Sequence, residues 1–124
     1  MHPSLLCRLA ALVASAWVVL AASPTLAHAI IVEAAPQVGA VLHTGTVDVR
    51  LRFNSRIDRH RSRLALLDAL GKETTLKLDE STRADIITAH ISGLAPGDYR
   101  LRWQVLALDG HITRGDIPFS VTAP

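Results

Sequence analysis

The chain has 124 residues, 49% hydrophobic and 4% aromatic, with one Cys and one Met. That length suits one domain rather than two independent cores, and 19% charged residues beside abundant Val, Leu and Ile exclude a disordered or collagen-like chain. A formal net charge of +2 is too small to imply a nucleic-acid partner.

Taken in chain order, the first segment reads as an export address. Residues 1–8 are short and basic through Arg8, residues 9–22 (LAALVASAWVVLAA) form an uncharged apolar run, and residues 23–27 (SPTLA) end on a small residue. This is the order of a secretory signal peptide. The run is shorter than the roughly 20 residues a spanning helix needs, so no retained membrane segment is expected after cleavage. Cys7 precedes the run, where a lipid-modified Cys would follow it, and no adjacent Arg pair marks the twin-arginine route. Cleavage after Ala27 makes His28 the first residue of a mature domain spanning residues 28–124. It also removes Arg8, leaving 12 Lys and Arg against 11 Asp and Glu, and takes away the lone Cys and the lone Met. The mature domain then has no disulfide and no thiolate ligand, and it must stand on its hydrophobic core.

The remaining chain reads as strands and turns. Residues 46–53 (TVDVRLRF) alternate, with Val47, Val49, Leu51 and Phe53 on one face and Asp48, Arg50 and Arg52 on the other. Residues 99–105 (YRLRWQV) repeat the pattern, turning Tyr99, Leu101, Trp103 and Val105 inward, and Ile117, Phe119 and Val121 form a third set. Weaker strands are read at residues 29–33, 64–67, 75–78 and 85–91. Turn signals separate them at residues 36–39, Asn54-Ser55, Gly71, residues 79–82 and residues 94–98. About seven short strands without an amphipathic helix predict an all-β, antiparallel β-sandwich. No internal repeat or linker divides it.

Few residues are left for chemistry. The mature domain has no Cys, no Gly-x-Ser-x-Gly, no phosphate-cradling Gly-rich loop and no Ser beside an obvious base, so it is not expected to be an enzyme. Five histidines remain: His28, His43, His60, His90 and His111. Asp109 and His111 flank Gly110, and residues i and i+2 of an extended segment point to one side. A carboxylate and an imidazole then converge, although Asp-Gly is also an ordinary turn pair. His28, once first in the chain, carries an α-amine and an imidazole that chelate one ion together. Three nitrogens and one carboxylate oxygen in a tetragonal arrangement suit Cu(II), which also heads the affinity order of divalent ions. The alternative is that His28 is an accidental first residue in solvent.

These features together resemble the CopC-type periplasmic copper-binding family. The matching residues are His28 at the mature N-terminus, the strand Leu94-x-Pro96-Gly97-x-Tyr99-x-Leu101-x-Trp103-x-Val105, the pair Asp109-x-His111, and the closing Gly115-x-x-x-Phe119-x-Val121. The resemblance spans nearly the whole mature domain and is most specific in its C-terminal half. It implies an immunoglobulin-like or cupredoxin-like Greek-key sandwich holding Cu(II) for copper resistance or delivery, with metal ligands His28 (amine and ring), Asp109 and His111. The chain departs from the family pattern in three places. It lacks the Met-rich loop that binds Cu(I) in some members. Asn54-Ser55 stands where a Glu often supports the metal carboxylate. Ile112 replaces the Pro that commonly follows the ligand His.

The resulting expectation is a monomeric periplasmic protein that buffers or carries copper, with the copper ion and an inner-membrane copper transport protein as partners. Two alternatives use other chemistry: a copper-dependent oxidase built on the same N-terminal His, and a metal-free exported interaction module. The stretch Arg56, Arg59, Arg61 and Arg63 reads as a solvated loop and strand edge, with an acidic partner or anionic membrane surface as the other reading. His43, His60 and His90 read as surface residues.

Overall fold

The computed structural model describes residues 29–80 and 83–123. The segment read as a signal peptide (residues 1–27), His28 and part of the turn expected at residues 79–82 lie outside the described residues. In chain order the strands are β1 (Ile31–Ala35), β2 (Ala40–Leu42), β3 (Val47–Phe53), β4 (Ile57–Leu67), β5 (Glu73–Thr75), β6 (Ile86–Ile91), β7 (Gly97–Ala107) and β8 (Ile112–Val121). They form a three-stranded sheet, β1-β3-β6, facing a five-stranded sheet, β2-β8-β7-β4-β5. The expected sandwich is present, with eight strands among the described residues. All strand pairs are antiparallel except β2 with β8, where Ala40 lies opposite Phe119 and Leu42 opposite Val121 in parallel.

The alternating sequences explain the layers. Along β3 and β7 every second residue enters the space between the sheets, so Val49, Leu51, Phe53, Leu101 and Val105 are almost wholly buried. Phe53 from one sheet meets Trp103 from the other edge-on, with centroids 5.6 Å apart at 63°. Such a pair is worth about 0.5–1.5 kcal/mol beyond its burial. Gly115 lies opposite Trp103 in the β7–β8 ladder, and a Cβ there would come within 2.8 Å of the indole. The ring needs that gap, which accounts for glycine inside a strand. Arg50 and Arg52 on the outer face of β3 both reach Glu33 of β1, at 2.8 and 3.2 Å.

The weaker strands are where expectation and structure part. The strand read at residues 64–67 begins at Ile57 and takes in most of the arginine stretch. Its register against β7 breaks between Asp58, opposite Leu106, and Arg63, opposite Gln104. Three more residues of β4 than of β7 lie between these pairs, a bulge of the larger, special kind around Arg59, His60 and Arg61. Buried Ser62 closes it, donating to the Asp58 carbonyl (2.6 Å) and accepting from the Leu106 amide (3.2 Å). The strand expected at residues 75–78 is β5 instead, and Leu76 and Leu78 leave it to pack partly buried against the core.

Candidate metal centre

The turn joining β7 to β8 carries the Asp-x-His pair. Gly110 donates to the Ala107 carbonyl (2.9 Å), and Ala107 in turn donates to the His111 carbonyl (2.9 Å), closing a tight loop. Gly110 has φ +90°, a backbone conformation that glycine adopts without steric cost. Within this loop the Asp109 Oδ1 accepts the His111 amide at 3.0 Å, an Asx turn that orients the carboxylate. The same oxygen is 3.2 Å from His111 Nδ1, and both side chains are 37% exposed. Two donor groups are thus brought together, by a tight turn rather than by the extended i, i+2 geometry expected of the sequence. Apolar side chains flank them: Leu108 is 63% and Ile112 55% exposed.

Two links fix where this turn sits. Leu108 donates its amide to the Arg56 carbonyl (3.2 Å), tying the turn to the β3–β4 loop. The other side of that loop holds the start of the described chain. Asn54 accepts the Ile30 amide on its side-chain oxygen at 2.8 Å, and its own amide donates to the Ile30 carbonyl at 2.9 Å. Ala29 is fully buried. The beginning of the first strand and the Asp109–His111 turn therefore share one end of the sandwich, joined through residues 54–56. The sequence marks Asn54 only as a turn residue; its bond to Ile30 could not be read there, because the partner is 24 positions away.

A small cavity of about 240 Å³ opens between loop and turn, lined by Ser55, Arg56, Ala107, Leu108 and Asp109. Ser55 also lines a second opening of about 440 Å³ shared with Arg83 and Asp85. The Arg83 guanidinium hydrogen-bonds Asp85 and holds its carboxyl below the usual carboxylate range. The hydroxyls of Ser55 and Thr113 are out of solvent and have no hydrogen-bond partner. A cavity of about 690 Å³ lies at the other end of the sandwich, beside Leu70 and Tyr99, and has no histidine in its lining.

Among the described residues no three His, Cys, Asp or Glu side chains converge as a metal-binding group. Asp109 and His111 supply two donors, and His28 lies outside the described residues. The remaining histidines take surface roles. His90 Nδ1 is 2.7 Å from Asp48 across the β3–β6 pair, and His43 Nδ1 is 2.8 Å from the Thr122 hydroxyl. His60 is exposed on the β4 bulge.

Comparison with known proteins gives one consistent picture. The family model of the CopC domain matches residues 31–122. Among solved structures, CopC from Methylosinus trichosporium OB3b superposes with a TM-score of 0.70 at 27% identity, covering 77% of this chain and 95% of that one. PcoC, a methionine-rich copper resistance protein from Escherichia coli, superposes at 0.62 over 77% of this chain and 100% of its own, and at 18% identity it speaks for the fold alone. Among curated proteins, the copper transport protein CutJ of Bacillus subtilis is 28% identical over 77% of this chain, which spans only 18% of that protein. Protein YobA of Escherichia coli K12 is 27% identical over 77% of this chain and 79% of its own length.

Proposed function

The chain belongs to the CopC family, and from that membership we propose that its mature form buffers or carries Cu(II) in the periplasm and is not an enzyme. In this reading the amine and ring of His28, the carboxylate of Asp109 and the ring of His111 hold the ion. Three nitrogens and one oxygen are a donor set suited to Cu(II). The observation that carries the reading is the placement of the Asp109–His111 pair at the end of the sandwich where the described chain starts, linked through Asn54 and Arg56.

The chain's part in the chemistry is to present deprotonated donors and to let them be exchanged. Amines and imidazoles have reference pKa values of about 7.7–8.0 and 6.5, so Cu(II) displaces protons when it binds near neutrality. Affinity then falls as pH drops through roughly 7 to 5. The two described donors are 37% exposed, so a partner's ligands can reach the ion. Release is stepwise ligand exchange to an acceptor, with an inner-membrane copper transport protein as the proposed acceptor.

The test is a Cu(II) competition titration of two proteins, one starting at His28 and one with a single residue added before it. The addition turns the amine into an amide and breaks the paired chelate. Both proteins are expected to unfold at the same temperature, and the extended one to bind Cu(II) orders of magnitude more weakly. Equal affinity would sink the N-terminal chelate.

A further inference from the structure

We infer that Ser55 is a positioning residue for Asp109: its hydroxyl is the hydrogen-bond donor that holds the carboxylate in its metal-binding orientation. The inference rests on the copper reading above and concerns a residue that is not itself a ligand. Its starting point is a cost. A buried hydroxyl without a partner has given up its water and gained nothing, and native proteins seldom keep such a group without a use for it. The Ser55 Oγ is in that position.

Of the side-chain acceptors around Ser55, Asn54 Oδ1 takes the Ile30 amide and both Asp85 oxygens take the Arg83 guanidinium, which points to Asp109. The backbone on both sides is already committed: the Asn54 amide to Ile30, the Ile57 amide to the Ala84 carbonyl, and the Arg56 carbonyl to Leu108. The loop is therefore held rigidly while the side chain of Ser55 is left over. Of the residues lining the cavity that Ser55 shares with the turn, Arg56 has a side chain that only donates, and Ala107 and Leu108 have none that hydrogen-bonds. Asp109 is the one side-chain acceptor there. Its Oδ1 is already engaged by the His111 amide, and a carboxylate has about four lone-pair sites, enough for a backbone amide, a hydroxyl and a metal ion together. Outer partners of this kind orient a ligand without touching the metal. The inward-facing Thr113 hydroxyl, two residues past His111, is also unpartnered but does not line this cavity.

The experiment uses the protein starting at His28, with Ser55→Ala and Ser55→Thr variants. It reads metal-free thermal unfolding, Cu(II) affinity by competition, and the Cu(II) electron paramagnetic resonance spectrum. Ser55→Ala is expected to unfold at the same or a higher temperature without metal, because it loses a hydroxyl that had no partner. Its Cu(II) affinity is expected to fall about 10- to 100-fold, the usual cost of losing such an outer contact, with an altered copper hyperfine splitting. Ser55→Thr keeps a hydroxyl and is expected to restore both readouts. An Ala variant with unchanged affinity and spectrum overturns the role of Ser55, as does equal loss in the Ala and Thr variants. If the unsubstituted protein takes up no Cu(II), the copper reading itself fails, a distinct result.

Discussion

The two ends of this sandwich treat their polar groups differently. At the end where β7 begins, Tyr99 stacks on Phe119 with centroids 5.6 Å apart, and its hydroxyl donates to the Ala95 carbonyl at 2.6 Å. The ring is packed and its one polar atom is satisfied, as in the tyrosine corner of other β-sandwiches. At the end where β7 finishes, two hydroxyls are buried without partners, and a carboxylate and an imidazole stand 3.2 Å apart, partly exposed. Between the ends lies a core whose large side chains are almost wholly covered. On the proposed function, the contrast separates two tasks: one end completes the hydrogen bond of its tyrosine to close the fold, and the other carries the Asp109–His111 pair proposed to hold copper.

Substitutions that move one property without the other sharpen this division. The largest effect on the fold is expected from Phe53→Ala, which empties the contact with Trp103. Its cost is about 3–5 kcal/mol of unfolding free energy, read by urea denaturation, and the surviving folded fraction should bind Cu(II) with the same stoichiometry. Next is His111→Ala, which should leave the denaturation midpoint in place and weaken Cu(II) binding about 100-fold, equivalent to ~2.8 kcal/mol. A shifted midpoint with unchanged affinity would reverse the assignment of tasks. Tyr99→Phe removes one satisfied hydroxyl at the far end and should cost about 1 kcal/mol of stability with no change in copper affinity.

The smallest effect concerns acid. The Arg102 guanidinium hydrogen-bonds Asp116 (3.0 Å) and attracts its charge, holding the carboxyl below the usual carboxylate range, and Arg83 does the same to Asp85. A carboxyl lowered by folding adds stability that is complete above its unfolded pKa and is lost as pH falls through its folded value, from about pH 4 downward. Both pairs are on the surface, where solvent screens them, so each is worth little. Asp116→Asn should therefore lower stability slightly at pH 7 and not at pH 2, measured by urea denaturation at both.

The sequence by itself determined the two alternating strands and the Asp-x-His pair, and the reason is locality. Val47, Val49, Leu51 and Phe53 declare a buried face through a period of two, and Asp109 and His111 meet across one glycine, so each feature is complete within a few residues. Tertiary structure decided what depends on distant partners. Ala40 to Leu42 is too short to show a pattern and is a strand only because β8 offers its edge. The arginine stretch belongs to a strand because Ser62 bridges its bulge to Leu106, 44 positions away. Residue 30 reaches the end that carries the Asp109–His111 turn through Asn54, and Ser55 gains its place beside Asp109 because β3, β4 and β7 converge there. Such contacts arise only when separate strands are packed against one another, and the hydrophobic burial that packs them acts on the whole chain rather than on any one segment.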